Sequence, residues 1–216
     1  MLSKDFYNSL TYISIISVII PIAACFYMRK ALSITLRALF VYLCICLLSD
    51  ILSYFYSEYD EIQNLFRNGF TVIECVIISL IYYIEFKDQK IETFVIASLL
   101  LFIGLSLWQF LYLNLSTKIE TIASTFEAVI LSIFSIIYLL KFLFTSDVNS
   151  INYQYFFWIA FANLLYFGTA FIFFMFRNFI KNAPDESSDF IWGIHDGINV
   201  ICNTLFTIAI CKTQRK

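Results

Sequence analysis

The chain has 216 residues, of which 61% are hydrophobic and only 14% charged. Soluble domains carry about a quarter charged residues, and the apolar excess here runs along the whole length. That excludes a soluble domain tethered by an anchor and leaves one membrane-embedded domain. A formal net charge of −2 with no sizeable basic patch excludes a nucleic-acid binder.

A spanning helix takes about 20 predominantly apolar residues. Seven runs qualify: Leu10–Met28, Ala38–Tyr56, Gly69–Phe86, Thr93–Leu113, Thr121–Leu140, Phe156–Phe176 and Phe190–Cys211. The joins between them are short and polar, as antiparallel neighbours in a bundle require. The predicted fold is an all-α seven-transmembrane-helix bundle, residues 1–216 forming a single transmembrane domain.

In the first run, Ile22-Ala23-Ala24-Cys25 has the form of a lipoprotein cleavage box. Six further spans follow and Arg29-Lys30 close an unbroken apolar run, so the segment reads as the first transmembrane helix. Pro21 is positioned to kink it. The six cysteines all fall in apolar runs without CxxC or metal-type spacing, which makes them packing residues.

Orientation follows from Lys and Arg near the span ends. The ends carrying Arg29, Lys30, Arg37, Lys87, Lys90, Lys141 and the tail hold nine, against five for the opposite ends. The expectation is a bacterial cytoplasmic (inner) membrane protein with its N-terminus outside and its C-terminus in the cytoplasm. Trp108 and Trp192 then lie near the outer interface and Trp158 near the inner one.

Helices three and five share an echo. Thr71-Val72-Ile73-Glu74-Cys75-Val76-Ile77-Ile78-Ser79 parallels Ser124-Thr125-Phe126-Glu127-Ala128-Val129-Ile130-Leu131-Ser132. Two readings stand. Ser/Thr-x-x-Glu before an apolar run is a capping box, which would put both glutamates at a helix start. Alternatively the two acids lie at equal depth inside the bundle and face a shared cavity.

Helix seven carries a polar stripe. At about 100° per residue, Trp192, His195, Asp196, Asn199 and Asn203 fall on an arc roughly 100° wide. His195 is the single histidine. Gly193 and Gly197 add a Gly-x-x-x-Gly face suited to close helix packing. Asp50, Glu74, Glu127 and Asp196 all map to the outward half, with Gln109, Tyr166 and Asn163 as further polar groups; Glu85 sits at the inner rim beside Lys87, and the inward halves are otherwise mostly aliphatic and aromatic. No Lys or Arg lies within the seven runs, so these acids are protonated, wet, or paired with His195 or a bound cation. Each polar group also has a plainer reading as a hydrogen-bonding tie between helices.

Several known chemistries are excluded. No lysine falls within helix seven for a retinal Schiff base, and one histidine cannot supply the three of the seven-helix zinc hydrolases. Glu-x-x-His units for diiron are absent, as are the proline-glutamine dipeptide of sugar carriers and paired Gly/Pro helix breaks.

Glu74 and Glu127 at equivalent depth, Phe157-Trp158-Ile159 with Leu165-Tyr166-Phe167-Gly168 in helix six, and Trp192-x-x-His195-x-x-x-Asn199-x-x-x-Asn203 in helix seven resemble a group of uncharacterised seven-helix bacterial membrane proteins of sensor-like topology. The resemblance implies fold and topology and carries no activity across.

The expected function is therefore a membrane-embedded ligand-binding or sensory protein with a polar, acidic cavity open to the outer side. Asp50, Glu74, Glu127, Tyr166, Trp192, His195, Asp196 and Asn199 are its expected ligand-binding residues. The expected partners are the lipid bilayer, a small-molecule, cationic or lipid ligand from outside, and a membrane or cytoplasmic signalling protein reached through helix contacts. No cofactor and no metal are expected. The alternatives are an intramembrane acid–base or metal-assisted hydrolase of a lipid-like substrate and a small proton-coupled transporter, against which the sealed inner half argues.

Overall fold

The computed structural model describes residues 4–56, 59–112, 121–145, 154–176 and 184–213. All regular elements among them are α-helices: α1 (Lys4–Ser17), α2 (Ile19–Tyr27), α3 (Ile34–Phe55), α4 (Asp60–Phe86), α5 (Gln89–Tyr112), α6 (Thr121–Thr145), α7 (Tyr155–Met175) and α8 (Asp185–Lys212). Taking α1–α2 as one, seven are long and apolar enough to cross a bilayer. The chain is a polytopic helical membrane protein. Helices suit that setting because each satisfies its own backbone hydrogen bonds where no water can. Of the ends counted for orientation, the tail Arg215-Lys216 and Lys118, Arg177 and Lys181 lie outside the described residues.

The chain forms two compact units, a terminal unit (residues 1–32 and 135–216) and a middle unit (residues 33–134), the division falling within α6. In the middle unit α4 packs against both α3 and α5. Cys75, Phe102 and Ala123 are fully buried there, with Val72, Leu99, Ile103 and Phe126 packed against them. Tyr82 lies against Phe86 and Phe134, extending this core along α4. In the terminal unit α8 packs against α7, α1 and α2. Tyr138 meets Phe156 edge-on at 4.5 Å where the end of α6 joins this unit.

Local chemistry sets the helix ends. Pro21 has no N–H for the carbonyl of Ser17, and its ring disfavours that carbonyl's helical position. The first span accordingly divides at Val18 into α1 and α2. α4 ends on Lys87 in the left-handed conformation, φ 44°. Asp88 then starts α5, its side chain accepting from Lys90 N–H and its carbonyl from Glu92 N–H. The carbonyl of Pro184 similarly accepts from Ser187 and Ser188 at the start of α8.

Several predicted boundaries shift outward, among them the starts of two helices. α4 begins at Asp60 rather than Gly69, and α8 at Asp185 rather than Phe190. Both helices extend through polar first turns that an apolar run does not mark. Ile62, Leu65 and Phe66 recur at helical spacing ahead of the predicted start. The apolar stretch of α4 is Leu65–Phe86, which brings Arg67 inside its margin.

Candidate functional site

The eight predicted site residues divide between the two units. Asp50, Glu74 and Glu127 belong to the middle unit; Tyr166, Trp192, His195, Asp196 and Asn199 belong to the terminal unit.

In the middle unit, Glu74 lies deep within α4 and is 5% exposed. The Tyr42 hydroxyl on α3 donates to its Oε1 at 2.7 Å. Tyr42, Cys46 and Asp50 follow at i, i+4 and i+8, so α3 turns one polar face to this carboxyl. Asp50 interacts electrostatically with Glu74, and Cys46 with both acids. Farther along this antiparallel seam the Thr35 hydroxyl donates to Glu85 at 2.5 Å. Glu127 is also buried, and Cys75 lies within electrostatic range of both Glu74 and Glu127.

The capping-box reading of the echo is overturned. Thr71 sits within α4, where its hydroxyl donates to the Arg67 carbonyl. Ser124 is likewise inside α6, which is helical from Thr121. The free amide of Ala123 in the first turn of α6 is instead satisfied by the Gln109 side-chain carbonyl from α5, at 3.1 Å.

In the terminal unit the polar stripe of α8 splits between two neighbours. On the α1 side it forms three evenly spaced bonds. Thr11 donates to the Asp196 carboxylate at 2.6 Å, Asn199 to Ser14 at 2.8 Å and Asn203 to Ser17 at 2.7 Å. The partners ascend together in both helices, so α1 and α8 run parallel. Gly193 permits the close approach, since a Cβ there would lie 2.7 Å from the Tyr7 ring. Gly197, its partner in the Gly-x-x-x-Gly face, has open space around it. Asp196 and Asn199 thus serve as ties between helices.

On the α7 side stands His195. Phe173 meets its ring edge-on at 5.4 Å, Tyr166 lies tilted at 5.6 Å, and Trp192 at 6.0 Å. Trp192 also stacks on Phe173. The Nδ1 atom of His195 is buried without a hydrogen-bond partner. No carboxylate is hydrogen-bonded to this nitrogen: the neighbouring Asp196 acts on the imidazole electrostatically, but its carboxylate accepts from Thr11 on the α1 side. Below this group the Cys202 thiol donates to the Ala162 carbonyl, which fixes α8 against α7. Trp158, in the first turn of α7, is half-buried, and its indole Nε1 is buried without a hydrogen-bond partner.

Sequence reading passed over Tyr42, Phe173, Thr11, Ser14 and Ser17. The i, i+4, i+8 spacing of Tyr42, Cys46 and Asp50 could have found the first, and the threefold spacing of Thr11, Ser14 and Ser17 the last three. Among the described residues no three His, Cys, Asp or Glu side chains gather into a cluster able to hold a metal ion. Comparison with family models, with curated proteins and with solved structures finds no match to this chain.

Proposed function

We propose that this chain is a ligand-binding sensor of a bacterial inner membrane, oriented with its N-terminus outside and its C-terminus in the cytoplasm. The observation that carries the reading is the buried, partnerless Nδ1 of His195 among the rings of Tyr166, Phe173 and Trp192. Leaving a buried polar atom without a partner costs about 1–3 kcal/mol. A ligand that donates a hydrogen bond recovers that cost. The donor must also sit among the rings of Tyr166, Phe173 and Trp192, and a cation is the donor that aromatic rings favour, so the favoured ligand is a small primary ammonium compound. Entry is from the outer side, where Trp192 remains 44% exposed.

Signal transfer follows from the two faces of α8. Its α1 side is tied by three hydrogen bonds, while His195 faces α7. A ligand at His195 therefore acts on the packing of α7 against α8, and a membrane or cytoplasmic partner reads the change. The Tyr42–Glu74–Asp50 group favours a second reading, a proton- or cation-coupled carrier, because buried carboxyl groups take a proton or cation as counter-charge.

The test is thermal unfolding of the detergent-solubilised protein titrated with methylammonium and longer primary alkylammonium salts. Binding to the native state raises the midpoint with ligand concentration. The wild type should show a saturable rise and His195→Phe, which keeps an aromatic ring, should show none. An equal response in both proteins contradicts the proposal.

A further inference from the structure

The middle unit holds a second place where buried polar groups lack partners. Between α4 and α5 runs a groove of about 200 Å3, lined by Leu65, Asn68, Val72, Ile103, Ser106 and Phe110 among others. Its walls are apolar except for two side chains. Asn68 is 7% exposed and Ser106 6%. The Nδ2 of Asn68 and the Oγ of Ser106 are both buried without a hydrogen-bond partner. Neither belongs to the His195 group or to the Tyr42–Glu74 seam.

We propose that this groove binds an ester-linked bilayer phospholipid, one acyl chain lying along Val72 and Ile103 and an ester carbonyl accepting from Asn68 and Ser106. The depth supports this occupant. Asn68 lies three residues inside the apolar stretch that begins at Leu65, and Ser106 five residues inside the one that ends at Leu111. At 1.5 Å per residue both sit about 5–8 Å within the apolar zone, one to two helical turns from the ester level at its edge and within reach of a carbonyl drawn down along the groove. Leu65 and Phe110, both more than half exposed, flank the groove at that end. Val72 and Ile103, which pack on the buried Cys75–Phe102–Ala123 core, lie deeper and form its floor. An occupant needs a long apolar body and one hydrogen-bond acceptor near its end. An apolar transmembrane helix from another copy supplies the body, but its carbonyls are already engaged within the helix and offer only their second lone pairs, whereas an ester carbonyl is wholly free to accept.

The experiment compares ester- and ether-linked phospholipids, which differ in the carbonyl alone. The full chain is placed in bilayers holding equal amounts of both, extracted mildly, and analysed by native mass spectrometry for retained lipid. One hydrogen bond of ordinary net strength should enrich the ester lipid about fivefold in the wild type. Asn68→Leu with Ser106→Ala should retain lipid with the ratio reduced to that of the bilayer. Gly69→Phe should retain none, since Gly69 lines the groove with open space where its Cβ would be, and a ring there would occupy the groove. Circular dichroism melting confirms that each variant is folded. Equal retention of ester and ether lipids by the wild type overturns the proposal. So does a wild-type dimer that Gly69→Phe converts to monomer while lipid is never retained, which would make the groove a helix–helix interface.

Discussion

α4 and α8 play corresponding parts in their two units, and comparing them separates polar residues that hold the fold from those free to act on something else. Each packs between neighbours and carries polar side chains through an apolar span. On one side each has its polar groups paired: Glu74 and Glu85 of α4 with Tyr42 and Thr35 of α3, and Asp196, Asn199 and Asn203 of α8 with Thr11, Ser14 and Ser17 of α1. On the other side each carries a buried atom without a partner: Nδ2 of Asn68, which lines the groove against α5, and Nδ1 of His195, whose ring lies by Tyr166 and Phe173 of α7. The pairings differ in kind. The α1–α8 seam uses three short side chains in steady register, whereas the α3–α4 seam rests on two carboxyl groups. Losing a partner should therefore cost more at Glu74, where it strands a buried acid, than along the α1–α8 seam, whose one acid, Asp196, is paired through an exposed hydrogen bond and whose other two groups are amides.

The largest expected effect comes from closing the space on which the α1–α8 register depends. Gly193→Leu puts a branched side chain where a single Cβ already meets Tyr7 at 2.7 Å. Overpacking of this kind costs about 1–3 kcal/mol, and the detergent melting temperature should fall accordingly, while Gly197→Ala, with open space around it, should leave it nearly unchanged. Equal effects at the two glycines would remove the close packing assigned to Gly193.

Next in size is Tyr42→Phe. It deletes the hydroxyl and leaves Glu74 buried without that donor, at about 1–2 kcal/mol. Tyr42→Phe combined with Glu74→Leu should recover much of the loss, because removing both partners is milder than stranding one. A double variant no more stable than the single would show that Glu74 has another role in the fold.

Smaller still is Asn203→Ala, which leaves Ser17 with its own bond to the Ser14 carbonyl. Interhelical bonds in membranes average about 0.6 kcal/mol, and the same size is expected in chemical denaturation of the purified protein. A loss as large as that of Tyr42→Phe would erase the contrast between the two seams.

How much of this was legible depended on what each signal encodes. The seven helices follow from apolar length alone, which the bilayer thickness makes decisive. Helix starts were less legible. The first turns of α4 and α8 are polar, and the structure extends both helices through residues that composition assigns to loops. The polar stripe of α8 could be read as a stripe, but not its division. His195 and Asp196 stand about 100° apart at its edges, and only the docking of α1 and α7 decides which edge meets hydroxyls and which meets aromatic rings. Tyr42 was hidden by abundance, one of 14 tyrosines in a chain rich in aromatics. The sequence points to a cation as the partner of Glu74, whereas a phenol on the neighbouring helix supplies it.

Because the chain has one histidine, the claim that α8 holds on one side and receives on the other can be read from a single residue. Protein labelled with 15N-histidine, in lipid nanodiscs, should give one pair of ring-nitrogen signals. In the absence of added ligand, Nδ1 should show no hydrogen bond and should be insensitive to Asn199→Leu on the α1 side. Methylammonium should then shift it saturably. A hydrogen-bonded Nδ1 before any ligand is added, or one that Asn199→Leu displaces as far as methylammonium does, would contradict the division of α8 into a holding and a receiving face.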